Sequence, residues 1–300
     1  MLEGRIAAAP ISWGVCEVPG WGLMLPTSRV LPEMKSLGLT MTELGAPGFF
    51  PEDKHAVVRE LADAGMTLVG GFVPLVLQDR DAWADSVERA KQWADVFATC
   101  GADRFVTALV QDYDWSRPTP PTRETMKIIG EGMRLVDEVC QSFGILQAFH
   151  PHVGTLVETA ADVELALDET TSMWTLDTGH LAIGGVDPVA FAQQHADRVG
   201  HVHLKDVNMS LAAQVLSGEI SLIKAVQDGI FVPLGTGDVD IAAAVEALES
   251  SRYAGRYVLE QDCAIMGDAP AEGEGPLADV RVCLDYLVRE VEPRLATASV

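Results

Sequence analysis

The sequence predicts a single (β/α)₈ barrel, the fold also called a TIM barrel, with a segment inserted between its seventh and eighth strands. Three observations lead to this prediction. Short apolar runs alternate with longer amphipathic runs, and the alternation occurs eight times. The chain has 300 residues, a length that suits one such barrel, which needs about 250. No composition break or Pro/Ser-rich linker divides the sequence, so we expect residues 1–300 to form one domain.

The eight predicted strands are the short apolar runs at residues 5–11, 39–43, 67–72, 104–109, 145–150, 174–177, 199–204 and 256–261. The eight predicted helices follow them in turn, at residues 28–36, 52–64, 82–100, 122–143, 160–169, 187–196, 241–250 and 276–290. Glycines such as Gly65 and Gly144 stand where helix C-caps belong. One strand–helix unit in each eighth of the chain favours a closed barrel over an open, doubly wound sheet.

Residues 208–238 depart from this repeat. They contain helix-like stretches at 211–216 and 222–227 and then a glycine-rich turn at 235–238. Long insertions after barrel strands often form part of the pocket. Such an insertion can equally well form a contact between two copies of the chain. Both uses stay open on the sequence alone, and so does a homo-oligomer.

Composition excludes several classes of protein. The chain is 48% hydrophobic and 22% charged, which is typical of a globular protein. Its 21 basic against 44 acidic residues give a formal net charge of −23, which disfavours nucleic acids and anionic membrane surfaces as partners. No apolar stretch approaches the roughly 18 residues of a membrane span. The five cysteines are widely spaced without a CxxC pair, so we expect a soluble protein of the reducing cytoplasm.

Six of the seven histidines fall within residues 150–203, and several stand at predicted strand ends. In a barrel, the carboxyl ends of the strands face the active site. Four consecutive strands each bring an imidazole or a carboxylate to this rim, from His150, Asp177, His203 and Glu260. Four convergent polar groups are costly to bury without a cation, and a mixed N/O set suits Mn²⁺, Co²⁺, Fe²⁺ or Zn²⁺ better than Mg²⁺. We interpret His201, deeper in its strand, as a core residue.

Further polar and aromatic residues are candidates for binding a substrate at the same rim. Trp13, Glu17 and Trp21 follow the first strand, where a pocket wall and a packed loop are equally good interpretations. Glu43 ends the second strand, and both substrate contact and helix capping stay open. We expect Lys205 to pair with Asp206 or with the substrate.

These strand endings resemble the xylose-isomerase-like barrels, a superfamily that includes sugar epimerases, hydroxypyruvate isomerase and endonuclease IV. The resemblance rests on His150, the motif Asp-Thr-Gly-His at 177–180, the motif His-Val-His-Leu-Lys-Asp at 201–206, and Glu260. Within the superfamily, residues 9–14, 150–155 and 233–238 look like inosose dehydratases, which remove water from 2-keto-myo-inositol.

The resemblance implies that Asp177, His203 and Glu260 bind one divalent metal ion, that the fifth strand supplies the fourth ligand, and that His180 helps to bind substrate. Mn²⁺ is the first choice of ion. The isomerases carry Glu at the fifth strand, where it is both a ligand and one of two carboxylates that transfer protons.

This chain departs from the isomerases at that position, because it carries His150 where they carry the glutamate. His152 is the other candidate for the ligand. His150 is favoured because its offset to Gly154 matches the Glu-to-Gly spacing of the family. The missing glutamate favours elimination of water over symmetric proton exchange.

The leading hypothesis is therefore a metal-dependent lyase that dehydrates inosose, or a related cyclic polyol ketone, through a metal-stabilised enediolate. Candidate bases are Glu260 and His152, and candidate acids are His180 and Lys205. The alternative is a metal-dependent sugar isomerase or epimerase acting on a ketose. A third hypothesis, a non-catalytic sugar-binding barrel, accounts less well for the ligand cluster.

Overall fold

The structure is a computed structural model that describes residues 2 and 4–298. Its strands in chain order are β1 (Ile6–Ala8), β2 (Met41–Thr42), β3 (Thr67–Leu68), β4 (Phe72–Leu75), β5 (Arg104–Leu109), β6 (Leu146–Phe149), β7 (Met173–Asp177), β8 (Val199–Leu204), β9 (Asp206–Val207), β10 (Phe231–Val232) and β11 (Tyr257–Leu259). Nine of them form one parallel sheet in the order β3-β2-β1-β11-β8-β7-β6-β5-β4, and β9 pairs antiparallel with β10.

The helices are α1 (Thr27–Ser36), α2 (Lys54–Ala64), α3 (Trp83–Thr99), α4 (Arg123–Ser142), α5 (Ala160–Glu169), α6 (Thr178–Ile183), α7 (Pro188–His195), α8 (Met209–Leu216), α9 (Leu222–Gln227), α10 (Ile241–Ser250), α11 (Pro276–Tyr286) and α12 (Glu292–Ala298). A π-helical turn, Leu287–Val291, joins the last two. Many of the helices begin at a residue whose side chain caps the first turn. At α5, for example, Thr159 and Asp162 form a capping box that satisfies two backbone N–H groups.

The sheet closes into a barrel through residues 69–71. On one side, Val69 donates to the carbonyl of Thr42 over 2.9 Å; on the other, Arg104 donates to the carbonyl of Val69 over 3.1 Å. Strands β3 and β4 are therefore the two ends of one barrel strand, and the predicted eight-stranded barrel is confirmed. A Cβ at Gly70 would lie 2.6 Å from the carbonyl oxygen of Arg104, so only glycine allows the two strands to approach this closely.

Two predicted strands, 104–109 and 199–204, agree with the structure residue for residue. The first predicted strand, 5–11, is too long, since β1 ends at Ala8 and a 3₁₀ helix begins at Pro10. Proline has no N–H to donate to the sheet, which explains the early end. The third predicted strand, 67–72, is too short, because its extended backbone continues to Leu75.

The inserted segment folds as α8, α9 and the β9–β10 pair. Helix α8 begins at Met209, two residues before the predicted start, because Asn208 caps it. The buried carboxylate of Asp206 accepts hydrogen bonds from the backbone N–H groups of Val207, Gly235, Gly237 and Val239 over 2.9–3.1 Å. The predicted pairing of Asp206 with Lys205 is therefore wrong. Asp206 instead ties the glycine-rich turn to the end of β8.

Apolar faces of the outer helices cover the barrel. Helix α4 shows the pattern most plainly, because its buried side chains recur three or four residues apart, at Met126, Ile129, Met133 and Val136. This packing leaves the carboxyl ends of the strands as the open end of the barrel. The helices of the described part of the chain all fall short of the length and apolar character that a membrane span requires.

Candidate metal centre and active site

Four neighbouring strands bring the predicted ligands together. Asp177 is the last residue of β7 and lies beside His203 of β8, while His150 and Glu260 directly follow β6 and β11. One possible ligand atom from each of the four side chains lies within 4.8 Å of the other three. The sequence left His150 and His152 open as the fifth-strand ligand, and His150 is the one in this cluster.

The distances in the cluster centre on His203. Its Nδ1 lies 2.6 Å from Oε2 of Glu260, 3.2 Å from Nε2 of His150 and 3.5 Å from Oδ2 of Asp177. The Nε2 of His150 lies 3.5 Å from the same Asp177 oxygen. The four side chains are buried or nearly so, and the atoms that face one another are those able to bind a metal ion.

The hydrogen bonds of the two imidazoles assign their protons. The Nδ1 of His150 lies 2.6 Å from the carbonyl oxygen of Pro151, and the Nε2 of His203 lies 3.2 Å from Oε1 of Glu43. Each of these nitrogens is therefore the donor in the neutral ring, and the other nitrogen of each neutral ring presents a lone pair. The two lone pairs face each other over 3.2 Å, an arrangement that a shared cation stabilises.

The carboxylates have the same requirement. Asp177 caps α6 with Oδ1, which accepts from the N–H groups of Gly179 and His180 over 2.9 and 2.8 Å. Its buried Oδ2 and the buried Oε2 of Glu260 accept no well-directed hydrogen bond, although Nδ1 of His203 lies 2.6 Å from the Glu260 oxygen. Buried carboxylate oxygens without a donor are costly. Two such oxygens and two imidazole lone pairs make a donor set that fits a divalent ion such as Mn²⁺, Fe²⁺, Co²⁺ or Zn²⁺.

The pKa shifts show the same demand for positive charge. Burial by itself would lower the pKa of His203, but the carboxylates of Glu260 and Glu43 hold it well above its ordinary value. Burial by itself would raise the pKa of Asp177, but the Lys205 ammonium and neighbouring imidazoles hold it well below the usual range. The position between these side chains therefore favours a cation: a proton on Nδ1 of His203 supplies the positive charge when no ion is bound, and a metal ion would replace that proton.

Lys205 is a buried cation beside this cluster. Its Nζ lies 2.7 Å from Oδ1 of Asp262, 3.4 Å from Oε2 of Glu260 and 3.6 Å from Oδ2 of Asp177. Burial opposes the charge, but the three carboxylates raise the pKa of Lys205, so the ammonium stays protonated. Asp262 was missed by the sequence reasoning because it lies one residue beyond the predicted eighth strand. Burial raises its pKa to about 6.

His152 and His180 stack, with ring centroids 3.7 Å apart. Burial lowers both pKa values, that of His152 to about 3, so both imidazoles are neutral. His152 lines the cavity, and its Nδ1 lies 2.7 Å from the carbonyl oxygen of Val153. His180 is 2% exposed and lies between the Val153 backbone nitrogen, 3.3 Å from Nδ1, and the Lys205 ammonium, 3.1 Å from Nε2.

A cavity of about 310 Å³ lies at the cluster, where His150 and Glu260 form part of its wall. Its other polar lining includes Glu17, Glu43, His152 and Asp262, and its apolar walls include Trp21, Phe72, Trp115, Leu222 and Ile223. The last two belong to the inserted segment, which therefore forms part of the pocket. Sequence reasoning did not single out Trp115, because it belongs to no recognisable motif. The backbone at Trp115 has a positive φ of 57°.

Trp13, a candidate for either a pocket wall or a packed loop, does not reach this cavity and agrees with the packed-loop interpretation. The 3₁₀ helix that begins at Pro10 turns the Trp13 side chain into the core, where it is fully buried. Its Nε1 donates to Oε2 of Glu33 over 2.7 Å. Trp21 and Glu17, from the same loop, do line the cavity.

The family model described as xylose isomerase-like TIM barrel matches residues 31–280. The chain belongs to this family. It is 29% identical to an inosose dehydratase of Geobacillus kaustophilus (strain HTA426), over 97% of this chain and 96% of that protein. It is 34% identical to the rhizopine catabolism protein MocC of Rhizobium meliloti, over 87% of this chain and 82% of that protein. The chain is therefore an enzyme of the xylose isomerase-like superfamily, as its strand endings predicted.

Solved structures share the fold over nearly all of the chain. An L-ribulose 3-epimerase superposes with a TM-score of 0.72 at 18% identity, covering 98% of this chain and 97% of its own. The IOLI protein with a bound zinc atom superposes with a TM-score of 0.69 at 13% identity, covering 96% and 98%. At these identities the likeness extends to the xylose isomerase-like fold and not to the chemistry.

Proposed function

We propose that this xylose isomerase-like barrel is a divalent-metal-dependent dehydratase that removes water from inosose (2-keto-myo-inositol) or from a closely related cyclic polyol ketone. Full-length similarity to an inosose dehydratase supports the reaction class. The observation that carries the proposal is the imidazole of His150 in the ligand cluster. Isomerases that resemble this chain use a glutamate there as the second proton carrier, and the Nδ1 proton of His150 is engaged with Pro151.

His150, Asp177, His203 and Glu260 would hold the ion, and Mn²⁺ is our first choice. A divalent ion in this position acts as a Lewis acid that stabilises negative charge on the oxygen of the substrate ketone. Trp21, Phe72 and Trp115 are apolar walls of the same space, and a substrate bound against them would displace water, which strengthens every electrostatic contact inside it.

A base must first remove the proton on the carbon next to the ketone. His152 is suited to this step, because its Nδ1 donates to the Val153 carbonyl and leaves the lone pair of Nε2 as the acceptor. Glu260 is the second candidate, since it also lines the cavity. Removal of this proton leaves an electron pair that then expels the hydroxyl group on the neighbouring carbon.

The departing hydroxyl needs a proton in order to leave as water. Sequence reasoning proposed His180 or Lys205 as the donor, and neither side chain lines the cavity. Asp262 does, and it accepts a hydrogen bond from the Lys205 ammonium over 2.7 Å. We propose that Asp262, whose pKa burial raises to about 6, gives its own proton to the departing hydroxyl, and that the Lys205 ammonium, with His180 3.1 Å behind it, stabilises the carboxylate that this leaves. The bond to carbon breaks, water leaves, and no oxidant is required.

Substrate hydroxyl groups that do not react still need partners. Glu17 lines the cavity at its first loop and accepts hydrogen bonds from hydroxyls in this proposal. The ring of a cyclic polyol has apolar C–H faces that fit the aromatic walls. A small polyol ketone is accordingly the partner that we propose, and a homo-oligomer stays a prediction.

Incubation of the Mn²⁺-loaded enzyme with 2-keto-myo-inositol in D₂O tests the reaction class. The expected result is a product lighter by one water, with the ultraviolet absorbance of an enolised dione. A product that loses no water and carries deuterium at a rearranged or inverted carbon would overturn the proposal in favour of an isomerase or epimerase. Ligand binding without deuterium incorporation or product would indicate a sugar-binding barrel.

A further inference from the structure

Glu43 and His201 form a buried pair on the Nε2 side of His203. Glu43 follows β2, which lies three strands away from β8 in the sheet order. Its carboxylate therefore reaches His203 across the inside of the barrel. The exposed fractions of Glu43, His201 and His203 are 4%, 1% and 1%, so water does not compete for their hydrogen bonds.

One carboxylate oxygen serves both rings. Oε1 of Glu43 lies 2.8 Å from Nε2 of His201 and 3.2 Å from Nε2 of His203. A carboxylate only accepts hydrogen bonds, so each imidazole is the donor at Nε2. The two bonds fix the orientation of the Glu43 side chain and the tautomer of both rings. For His203, this leaves Nδ1 as the nitrogen with the lone pair.

We propose that Glu43, held in place by His201, is a positioning residue for the metal ion. It keeps the proton of His203 on Nε2 and directs the Nδ1 lone pair to the point shared with the other ligands. The inference rests on the metal site of the proposed function. A carboxylate behind a ligating imidazole also increases the basicity of the ring, and loss of such a partner typically costs about 10–100-fold in metal affinity.

A second metal ion is the competing explanation. Glu43, His201 and His203 also offer ligand atoms that lie within 4.8 Å of one another. The two N–H donors already account for both contacts of the carboxylate oxygen, and a second ion would require His203 to give up its last proton and bind through both nitrogens. The hydrogen-bonded arrangement requires neither the loss of this proton nor metal binding through both nitrogens of His203.

Titration of metal-free protein with Mn²⁺, followed by the electron paramagnetic resonance of the free ion, tests the inference. The wild type is expected to bind one ion. Glu43→Gln is expected to bind it about 10–100-fold more weakly, and Glu43→Asp to lie between the two because it keeps the charge. Binding by Glu43→Gln that equals the wild type would overturn the inference, and so would two tightly bound ions in the wild type.

Glu33→Gln is the matched control. Glu33 is also a buried carboxylate, 7% exposed, and it accepts from Trp13 Nε1 and Arg29 Nε over 2.7 and 2.9 Å, away from the cluster. Its substitution is expected to lower thermal stability and leave the Mn²⁺ dissociation constant unchanged. Equal losses of affinity in Glu33→Gln and Glu43→Gln would overturn a positioning role. A wild type that binds no divalent ion would instead refute the proposed function.

A second test uses only the wild type, so its outcome does not depend on whether a variant folds. It is nitrogen NMR of the ¹⁵N-histidine-labelled protein loaded with Zn²⁺. The expected spectrum shows His203 protonated on Nε2 and coordinated through Nδ1. Coordination of His203 through Nε2 would contradict the inference, because Glu43 would then face the wrong nitrogen.

Discussion

Lys205 and Asp262 form a buried ion pair at the cavity, with Nζ and Oδ1 2.7 Å apart and exposed fractions of 1% and 5%. A buried ion pair of this kind is expected to add little to the free energy of unfolding, because both charges lose their hydration. The proposed chemistry at the cavity explains it better, because Asp262 lines the cavity wall and would face the substrate, while Lys205 contacts two further carboxylates.

Substitution of Asp262 tests this explanation. Asp262→Asn keeps the size of the side chain and removes its ability to give a proton, so we expect kcat to fall by about 10²–10⁴-fold. The Mn²⁺ dissociation constant is expected to change little, because Asp262 is outside the ligand cluster. Steady-state kinetics and metal titration on the same preparation check both statements. Wild-type kcat in this variant would rule out Asp262 as the proton-donating contact.

His150→Glu restores the residue that the isomerases carry. A carboxylate also binds divalent ions, so we expect the variant to keep its metal. We further expect more proton return and less loss of water, seen by NMR in D₂O as a higher ratio of species that keep every hydroxyl group and carry carbon-bound deuterium to dehydrated product. His150→Gln, which has no exchangeable carboxyl proton, is the control. An unchanged product ratio in metal-loaded His150→Glu would remove the main support for elimination.

Asp206 is predicted to matter for stability and, indirectly, for substrate affinity. Asp206→Ala leaves four N–H groups at the glycine-rich turn without their acceptor, so we expect a loss of at least about 2 kcal/mol in the free energy of unfolding. We also expect a higher KM, since Leu222 and Ile223 of the same segment line the cavity. Urea denaturation and kinetics measure the two effects.

Asp238→Asn is the control for that experiment. Asp238 caps the exposed N–H of Met209 over 2.9 Å in the same segment, and the amide oxygen of asparagine can still accept this bond. We expect a change below about 1 kcal/mol. Equal destabilisation by Asp238→Asn and Asp206→Ala would mean that the buried carboxylate has no special part in holding the turn.

The two tryptophans near the first strand are predicted to behave differently. Trp13→Phe removes the donor to Glu33 inside the core and should cost about 1–3 kcal/mol of stability without changing KM. Trp21→Phe alters the cavity wall and should raise KM. Thermal unfolding and kinetics on both variants separate the roles. A raised KM in Trp13→Phe at a temperature where it is folded would speak against its placement in the core.

The cluster of candidate metal ligands could be predicted because each member stands at the end of an apolar run, and the barrel brings the ends of parallel strands to one rim. The direction of the Trp13 side chain could not be predicted, since the strand ends at Ala8 and the 3₁₀ turn that begins at Pro10 determines it. The role of Asp206 depends on backbone donors about thirty residues away, for which no local pattern exists. Asp262 lies in a loop, where periodicity gives no direction.

The partners of Glu43 were equally hidden. Its position at the end of the second predicted strand indicated the rim of the barrel, and both contact with substrate and helix capping were open. Its contacts with His201 and His203 cross the barrel from a strand that is not their neighbour. Only the closed geometry of the barrel interior brings these three residues together.

Anomalous diffraction from a crystal loaded with Mn²⁺, collected at the manganese absorption edge, measures the ion directly. We predict one peak, bound by His150 Nε2, Asp177 Oδ2, His203 Nδ1 and Glu260 Oε2. An absent peak, or a single peak between Glu43 and His201 instead, would contradict the metal centre on which the proposed dehydration depends.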